Sequence, residues 1–339
     1  VETTEFYRLF ASDGLLVATE RITPDEEPQI PDRANWAAVL RHERIPFVSY
    51  PYERCFGMLR DAARLQLDLL DAGLDEDVGM KDATPYNLQW IGTHPVFIDV
   101  GSFEPLRAGA PWVGYRQFCE LYLYPLLLQA YRGVAFHPLL RGRVDGIPPA
   151  QARAMLSWRD LLRPGVLAHV ALQARAERRW DDASTNAPRE LGQAGFHKAM
   201  IVANVRRLRR LLDRVTWKPD PSVWSDYATS HSYTEAGSKT KEDFVESVAG
   251  ERPRSLVWDL GANTGVFSRL VAPHARCVVA MDGDHEAIEH LYRTLEPPQQ
   301  RTIQPLVVGP FEPGTRGHHA RVARRQFGLP GDGVGLVDH

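Results

Sequence analysis

Apolar and polar residues alternate at helical spacing over much of the chain, and short apolar runs replace this pattern in the last third. Over residues 56–74 the apolar side chains recur every three or four positions with charged residues between them, which predicts an amphipathic helix. Residues 256–258, 276–282 and 303–308 are mainly apolar runs of strand length, typical of buried parallel strands. We therefore expect an α/β fold, mostly helical at first and built on a parallel sheet later.

Proline, glycine and polar clusters divide this pattern into three parts. Residues 1–215 combine a few short strands, one of them expected at 14–19, with many helices, the last of them at 197–214. The basic run 206–210 in that last helix is expected to be a solvated face, with a phosphate or nucleic-acid contact as the alternative. The polar stretch 181–188 is expected to be a loop, and the proline-containing stretch 216–222 has the composition of a linker. Residues 216–308 contain the strands of the expected sheet. Residues 309–339 are rich in glycine and lack periodicity, which predicts an irregular or disordered tail. No fourth strand is recognisable, so the sheet is expected to be partial.

An acidic residue and a glycine loop follow the first strand of the expected sheet. Asp259 stands at the strand end, Gly261 and Gly265 bracket a tight loop, and a helix begins near Thr264. This order of strand, loop and helix turns backbone N–H groups towards a ligand. Glycine is needed because a Cβ would block the approach of a ligand, or because φ must be positive. The second strand ends in another acid, Asp282, which suits hydrogen bonds from both hydroxyls of a ribose.

The loop sequence, Asp-Leu-Gly-Ala-Asn-Thr-Gly over residues 259–265, lacks the three spaced glycines of the dinucleotide fingerprint. It resembles the first motif of class I S-adenosylmethionine (SAM)-dependent methyltransferases. The resemblance implies a Rossmann-like C-terminal sheet with SAM as cofactor. It assigns the cofactor contacts to Asp259, Gly261, Ala262, Asn263 and Gly265 at the methionine part, and to Asp282 at the ribose. A doubly wound sheet that binds another nucleotide, or none, is the alternative.

A polar segment ahead of the sheet supplies the candidate catalytic groups. In the resembled family the segment corresponding to residues 224–235 and 239–245 caps the cofactor pocket, so Tyr227, His231, Tyr233 and Lys241 are candidates for contact with SAM or substrate. His231 and Tyr233 are the acid/base candidates near the motif. A surface loop followed by a helix is the alternative.

A second group of polar residues lies in the N-terminal part. Asp82 and Asn87 share one loop, and Asp99 follows two short strands in an Asp-Val-Gly turn. The spacing resembles the catalytic and metal-binding loops of the protein-kinase and aminoglycoside-kinase-like fold, in which Asp82 would be a base and Asn87 and Asp99 would hold Mg²⁺. Residues 1–80 contain no lysine to anchor a nucleotide. A kinase-like scaffold reused for binding, or ordinary loop hydrogen bonds in an unrelated fold, are the alternatives.

The same stretch of the N-terminal part also resembles a narrower group of proteins. Residues 81–90, 96–104 and 112–120 resemble the N-terminal region of a bacterial family described as SAM-dependent methyltransferases related to a rhizobial nodulation protein. In that family this region precedes a methyltransferase domain in one chain. Three functions therefore stay open: methyl transfer from SAM, kinase-like phosphotransfer with Mg-ATP, and a non-catalytic binding or scaffold role.

Charge and composition restrict the possible binding partners and substrates. The net charge of −3 argues against a general nucleic-acid binder, so a small-molecule or saccharide acceptor is favoured. No apolar run approaches the roughly 18 residues of a membrane-spanning helix. The three cysteines are scattered without metal-ligand spacing and suit a reducing, cytoplasmic environment. The sequence gives no indication of oligomeric state.

Overall fold

The structure is a computed structural model, and it describes residues 2–22, 38–107, 109–172, 198–218, 235–308 and 335–337. The α-helices are α1 (Glu5–Ser12), α2 (Phe56–Asp75), α3 (Tyr115–Phe118), α4 (Tyr124–Arg132), α5 (His137–Gly142), α6 (Pro149–Met155), α7 (Trp158–Leu161), α8 (Lys198–Arg214), α9 (Glu235–Gly250), α10 (Val266–Val271), α11 (His285–Thr294) and α12 (Gln299–Thr302). The π-helical segments are Cys119–Leu123 and Leu167–Leu172, and the 3₁₀ turns are Pro51–Glu53, Pro85–Asn87, Val100–Ser102 and Ala272–His274.

The strands form three small antiparallel pairs and one parallel sheet. They are β1 (Thr19–Arg21), β2 (Leu40–His42), β3 (Val78–Met80), β4 (Leu88–Ile91), β5 (His94–Phe97), β6 (Phe103–Pro105), β7 (Val257–Leu260), β8 (Val278–Asp282), β9 (Ile303–Val307) and β10 (Gly335–Val337). The antiparallel pairs are β1 with β2, β3 with β6 and β4 with β5. The predicted mixture of helix and strand, an α/β architecture overall, is confirmed.

Helix α2 is the centre of the N-terminal part, as its apolar spacing predicts. Side chains on its buried face, among them Met58, Leu59 and Leu69, are fully buried. Helix α8 packs along α2, and ion pairs join the two helices, with Arg209 Nε 2.8 Å from Asp68 Oδ1. Arg206 and Arg209 of α8 therefore pair with acids of α2, which fits a solvated helix face better than a nucleic-acid contact.

Strand pairing in the N-terminal part brings two distant loops together. β3 pairs with β6 with Met80 opposite Phe103, and the hairpin of β4 and β5 lies between them in the chain. The loop that leaves β3 and the loop that enters β6 therefore start from neighbouring strands. These are the loops that contain Asp82 and Asp99.

The C-terminal sheet has four parallel strands in the order β10, β7, β8, β9. Helix α10 connects β7 to β8, and α11 and α12 connect β8 to β9, because parallel neighbours require a crossover. All three strands predicted here are confirmed. The irregular tail predicted from residue 309 is wrong for Gly335–Val337, which pairs in parallel with β7. Its two apolar residues are too short a run for a periodic pattern to reveal.

The two parts of the chain share one hydrophobic core. The Trp90 ring of the hairpin meets the Tyr292 ring of α11 edge-on, with centroids 6.0 Å apart. At the hairpin tip, Thr93 N donates to Gln300 O at 2.7 Å, and a Cβ on Gly92 would lie 2.1 Å from the same oxygen. Glycine is therefore required where the hairpin meets the chain that leads into β9.

The element predictions differ in outcome. The helices predicted at 56–74 and 197–214 are confirmed by α2 and α8. The strand predicted at 14–19 is confirmed only in part: the chain turns at Gly14, with φ +71°, Leu16 forms a parallel β-bridge with Phe97, and β1 begins at Thr19. The polar loop predicted at 181–188 lies outside the described residues. Within the described ranges, no helix combines the length and the apolar character needed to cross a membrane.

Candidate functional site

The glycine loop after β7 has the backbone that its sequence requires. Gly261 and Gly265 have φ values of +82° and +83°, and Asn263 has a φ of +48°. Glycine adopts this left-handed region without steric cost, and asparagine tolerates it better than most residues. Gly261 N and Ala262 N both donate to Met281 O, at 2.9 and 3.0 Å. The loop is therefore fastened to the end of the neighbouring strand β8.

Gly265 has a second reason to be glycine, which sequence reasoning missed. A Cβ at this position would lie 2.5 Å from Leu291 Cδ1 of helix α11. Real Cβ atoms do not approach a neighbour so closely, and Leu291 is itself fully buried. The glycine therefore lets the start of α10 pack against α11, in addition to permitting its positive φ.

Asp259 lies under the loop rather than at its surface. Its side chain is 3% exposed, and its Oδ2 accepts a hydrogen bond from Ser268 Oγ at 2.5 Å. Ser268 belongs to α10 and is fully buried. The carboxylate therefore ties the end of β7 to the helix that follows the loop, a role that the sequence did not suggest for Ser268.

Asp282 ends β8 beside this loop, and its carboxylate joins the two. Its Oδ2 accepts from Asn263 N and its Oδ1 accepts from Asp284 N, both at 2.8 Å. Asp284 begins α11 as its N-cap, with Oδ1 accepting from Glu286 N at 2.8 Å. Because an ionised carboxylate has about four acceptor positions, two further hydrogen bonds to Asp282 are possible beyond those from the described residues.

The predicted cofactor contacts thus form one group: Asp259, Gly261, Ala262, Asn263, Gly265 and Asp282 lie within the loop or directly against it. The predicted catalytic residues His231 and Tyr233, and Tyr227 with them, lie outside the described residues. Lys241 is described, and its Nζ lies 4.9 Å from the ring centroid of Phe267 in α10. It therefore contacts the helix that follows the glycine loop.

The second predicted group is also brought together. Asn87 Nδ2 donates to Asp99 Oδ2 at 3.0 Å, and Ser102 Oγ donates to the same oxygen at 2.5 Å. Gly101 N donates to Asp99 Oδ1 at 3.1 Å. Asp82 contributes its backbone oxygen, which accepts from Gln66 Nε2 at 3.2 Å. Ser102 was not predicted, although its place directly after the Asp-Val-Gly turn is visible in the sequence.

A buried arginine, Arg54, holds the backbone that carries Asn87 of this second group. Arg54 is fully buried, and it donates from Nη1 to Pro85 O at 2.7 Å and from Nη2 to Leu88 O at 2.6 Å. These carbonyls lie on either side of Asn87, so the guanidinium fixes the backbone that carries it. Burial lowers the pKa of Arg54 to about 10. Burial also raises the pKa of the neighbouring Glu53 to about 7, opposed by its hydrogen bond from the Tyr50 backbone.

The structure also describes the two residues that were predicted to hold Mg²⁺, Asn87 and Asp99. Among the residues that the structure describes, no three His, Cys, Asp or Glu side chains are arranged to hold a metal ion. The Asn87 amide nitrogen points at Asp99 as assigned, which makes that side chain a donor to the carboxylate rather than its partner in ligation. The two residues predicted to hold Mg²⁺ therefore hydrogen-bond to each other.

Comparison with known proteins finds one informative similarity. Over 277 residues, 78% of this chain, the sequence is 34% identical to nodulation protein NoeA of Rhizobium meliloti (strain 1021). The predicted relation to a rhizobial nodulation protein is therefore confirmed. The match covers 56% of that protein, so the chain spans little more than half the length of its relative. No family model matches the chain, and no solved structure matches it significantly.

Proposed function

We propose that the glycine loop and Asp282 bind S-adenosylmethionine and that the protein is a class I methyltransferase. The observation that carries this proposal is the hydrogen bond from Asn263 N to Asp282 Oδ2, at 2.8 Å. It joins a positive-φ glycine loop at the end of one parallel strand to an acid at the end of the next. Ligands of open parallel sheets bind in the crevice outside the carboxyl ends of the strands.

The residues present fit the cofactor. Gly261 is exposed and its φ is +82°, so no side chain covers the loop at that point. Asp282 is partly exposed, and the two acceptor positions left by its described partners suit the two hydroxyls of a ribose. The sheet order, with β7 between β10 and β8, leaves the loop at the centre of the sheet. These features support a nucleoside-sized ligand at the loop.

When bound, S-adenosylmethionine supplies a methyl group that its sulfonium already activates. The task of the chain is to orient the acceptor in line with that methyl group and to exclude water. Asp282 would fix the ribose, and the backbone of Gly261, Ala262, Asn263 and Gly265 would line the methionine part. Asp259 would act through Ser268, by holding the loop and α10 together. His231 and Tyr233 remain the proposed acid/base groups.

For the methyl acceptor, we propose a chemical class and no individual compound. The net charge of −3 and the pairing of Arg206 and Arg209 with acids of α2 disfavour nucleic acid. The similar protein is named for nodulation, and that name gives no acceptor. We propose a small-molecule or saccharide acceptor, acted on in the cytoplasm.

Calorimetric titration with S-adenosylmethionine tests the proposal. We expect the wild-type chain to bind it, and Asp282→Ala to weaken binding about a hundred-fold, because two hydrogen bonds to a charged group are lost. Asp99→Ala is the matched control, an aspartate after a strand in the other part of the chain, and should bind as wild type. Absence of binding by the wild-type chain, or equal losses in both variants, would contradict the proposal.

Kinase-like phosphotransfer is the second candidate, favoured by the fold bringing the side chains of Asn87 and Asp99 together as that function requires. Titration with Mg-ATP tests it, since binding that is lost in Asp99→Ala and kept in Asp282→Ala would support this function. A chain that binds neither ligand would support the third function, a non-catalytic binding or scaffold role. The closed hydrogen bonding around Asp99 makes phosphotransfer the weaker proposal.

A further inference from the structure

Helix α11 begins at the turn that follows Asp282, and the N-terminal part of the chain holds one face of this helix. Asp284 caps the helix, and its backbone N–H donates to Asp282 Oδ1. The turn and the first turn of the helix are thus one hydrogen-bonded unit. Any force that fixes the position of α11 therefore also fixes one of the two donors that orient the Asp282 carboxylate.

Glu289 makes the central contact that fixes α11. Its side chain is fully buried, and its Oε2 accepts from Gly57 N at 2.7 Å. Gly57 lies in the first turn of α2, where backbone N–H groups have no partner within the helix and an acidic side chain is favourable. Arg293, one turn later, pairs with Glu289 Oε1 at 2.6 Å. Glu289 therefore caps a helix in the other part of the chain.

Contacts on either side of Glu289 extend this attachment. The His285 ring lies 5.0 Å from the ring centroid of Trp217 and 5.5 Å from that of His137. Tyr292 OH donates to Asp61 Oδ2 at 2.8 Å. Residues 285, 289 and 292 lie on one face of a helix. The face is therefore fixed at its start, middle and end by side chains and backbone from the N-terminal part.

The space around Gly57 limits how far α11 can move. A Cβ on Gly57 would lie 2.7 Å from Tyr292 Cδ1 and 3.3 Å from Glu289 Oε1. The helices are therefore in direct contact at this point, and α11 cannot approach α2 further. Together with the hydrogen bond to Glu289, this contact fixes the position of α11 along and across the start of α2.

We propose that Glu289 is a positioning residue for the S-adenosylmethionine site. By fixing α11 against Gly57, it fixes the turn that orients the Asp282 carboxylate, so the N-terminal part controls cofactor affinity without touching the cofactor. The cofactor half of this statement rests on the proposed function, whereas the orientation of Asp282 does not. Small displacements of an orienting group are costly, which is why a remote contact has an effect.

The test uses Glu289→Gln in the full chain, because glutamine keeps the shape and an acceptor oxygen but loses the charge. The first measurement is hydrogen exchange of the Asn263 and Asp284 amides, both of which donate to Asp282, without any ligand. We expect both to exchange about ten-fold faster than in the wild type, as a weakened hydrogen bond to a charged group implies. Amides of the β8–β9 ladder should keep their protection and so show that the sheet is intact.

The second measurement is the affinity for S-adenosylmethionine, expected to fall about ten-fold in the same variant. Tyr292→Phe removes only the hydroxyl that reaches Asp61, so it should act in the same direction with a smaller effect, and it decides the matter if Glu289→Gln fails to fold. Glu296→Gln changes an exposed acid just after α11 and should behave as wild type.

Unchanged exchange at Asn263 and Asp284, with a lowered free energy of unfolding, would overturn the proposal and leave Glu289 a merely structural residue. The two proposals fail separately. If the wild-type chain does not bind S-adenosylmethionine, the proposed function fails, and the exchange rates still show whether Glu289 orients Asp282.

Discussion

Two carboxylates that the sequence marks in the same way, Asp99 and Asp282, have opposite surroundings in the structure. Each follows a β-strand and is hydrogen-bonded to a nearby loop. Asp282 accepts from two backbone N–H groups. Asp99 accepts from an amide side chain, a hydroxyl and a backbone N–H. The Asp282 carboxylate is oriented by the main chain and has two of its about four acceptor positions in use, whereas the Asp99 carboxylate has three in use, two of them by side chains.

The difference shows why residue spacing is a weak guide to chemistry. Spacing brought Asn87 next to Asp99 as predicted, but the amide donates to the carboxylate instead of facing a shared ligand. Backbone donors are a better indication of a ligand site, because they hold a carboxylate in place without adding a competing side chain. The comparison therefore favours the Asp282 group, and the predictions below test it.

The largest expected effect comes from the buried arginine beneath Asn87. Arg54→Met leaves the carbonyls of Pro85 and Leu88 buried without their donor, and should lower the free energy of unfolding by about 3 kcal/mol. Arg107→Met, at an arginine whose side chain is 77% exposed, should change it by less than about 0.5 kcal/mol. Urea unfolding of both variants measures the difference, and equal small losses would mean that Arg54 does not support the loop.

Gly265→Ala should lower the free energy of unfolding by a similar amount. The new Cβ meets Leu291 and the backbone φ is +83°, so strain and overpacking together should lower the free energy of unfolding by about 3 kcal/mol. Gly14→Ala measures the cost of backbone strain alone, because Gly14 has a φ of +71° and no atom lies within 4 Å of an added Cβ. We expect about 1 kcal/mol there. Similar losses in the two urea curves would show that contact with α11 does not matter.

Ligand-linked stability compares the two carboxylates directly. S-adenosylmethionine at a hundred times its Kd should raise the free energy of unfolding of the wild type by about 2.7 kcal/mol. Asp282→Asn should lose most of this gain, and Asp99→Asn should keep it. Thermal unfolding with and without the ligand measures both, and a gain that survives in Asp282→Asn would move the binding site elsewhere.

The sequence predicted the fold best where periodicity is long. Helix α2 and the first three strands of the sheet were predicted because burial imposes a regular pattern on many consecutive residues. β10 was missed because its three residues lie in a glycine-rich stretch, and only the neighbouring strand β7 shows that they form a strand. The strand predicted at residues 14–19 is present only as a β-bridge at Leu16 and as the start of β1, because an apolar run does not show where the chain turns.

For the candidate site, the sequence predicted which residues lie close together but not which hydrogen-bonding and packing partners each of them has. Asp259 was expected to face the cofactor, and it instead lies buried against Ser268. The contacts of Glu289 with Gly57 and of Gly265 with Leu291 join residues far apart in the chain, and no local pattern reveals them. Such contacts depend on how helices pack, which a single sequence does not specify.

The smallest expected effect on the free energy of unfolding concerns two serine hydroxyls, one beside Asp259 and one beside Asp99. Ser268 and Ser102 are both fully buried, and each donates to an aspartate at 2.5 Å. Asp259 is 3% exposed, whereas Asp99 is partly exposed, so water can replace a lost donor at Asp99 but not at Asp259. Ser268→Ala should therefore lower the free energy of unfolding by about 2 kcal/mol, and Ser102→Ala by about 1 kcal/mol.

Urea unfolding at one pH measures both serine variants, and the difference between them is more informative than either value, because the same atoms are removed from each residue. The reverse order would mean that the Asp99 group is the more tightly closed to solvent. The expected order would instead assign the buried Asp259 to holding β7 and α10 together, and would show that water reaches the Asp99 carboxylate despite its side-chain donors.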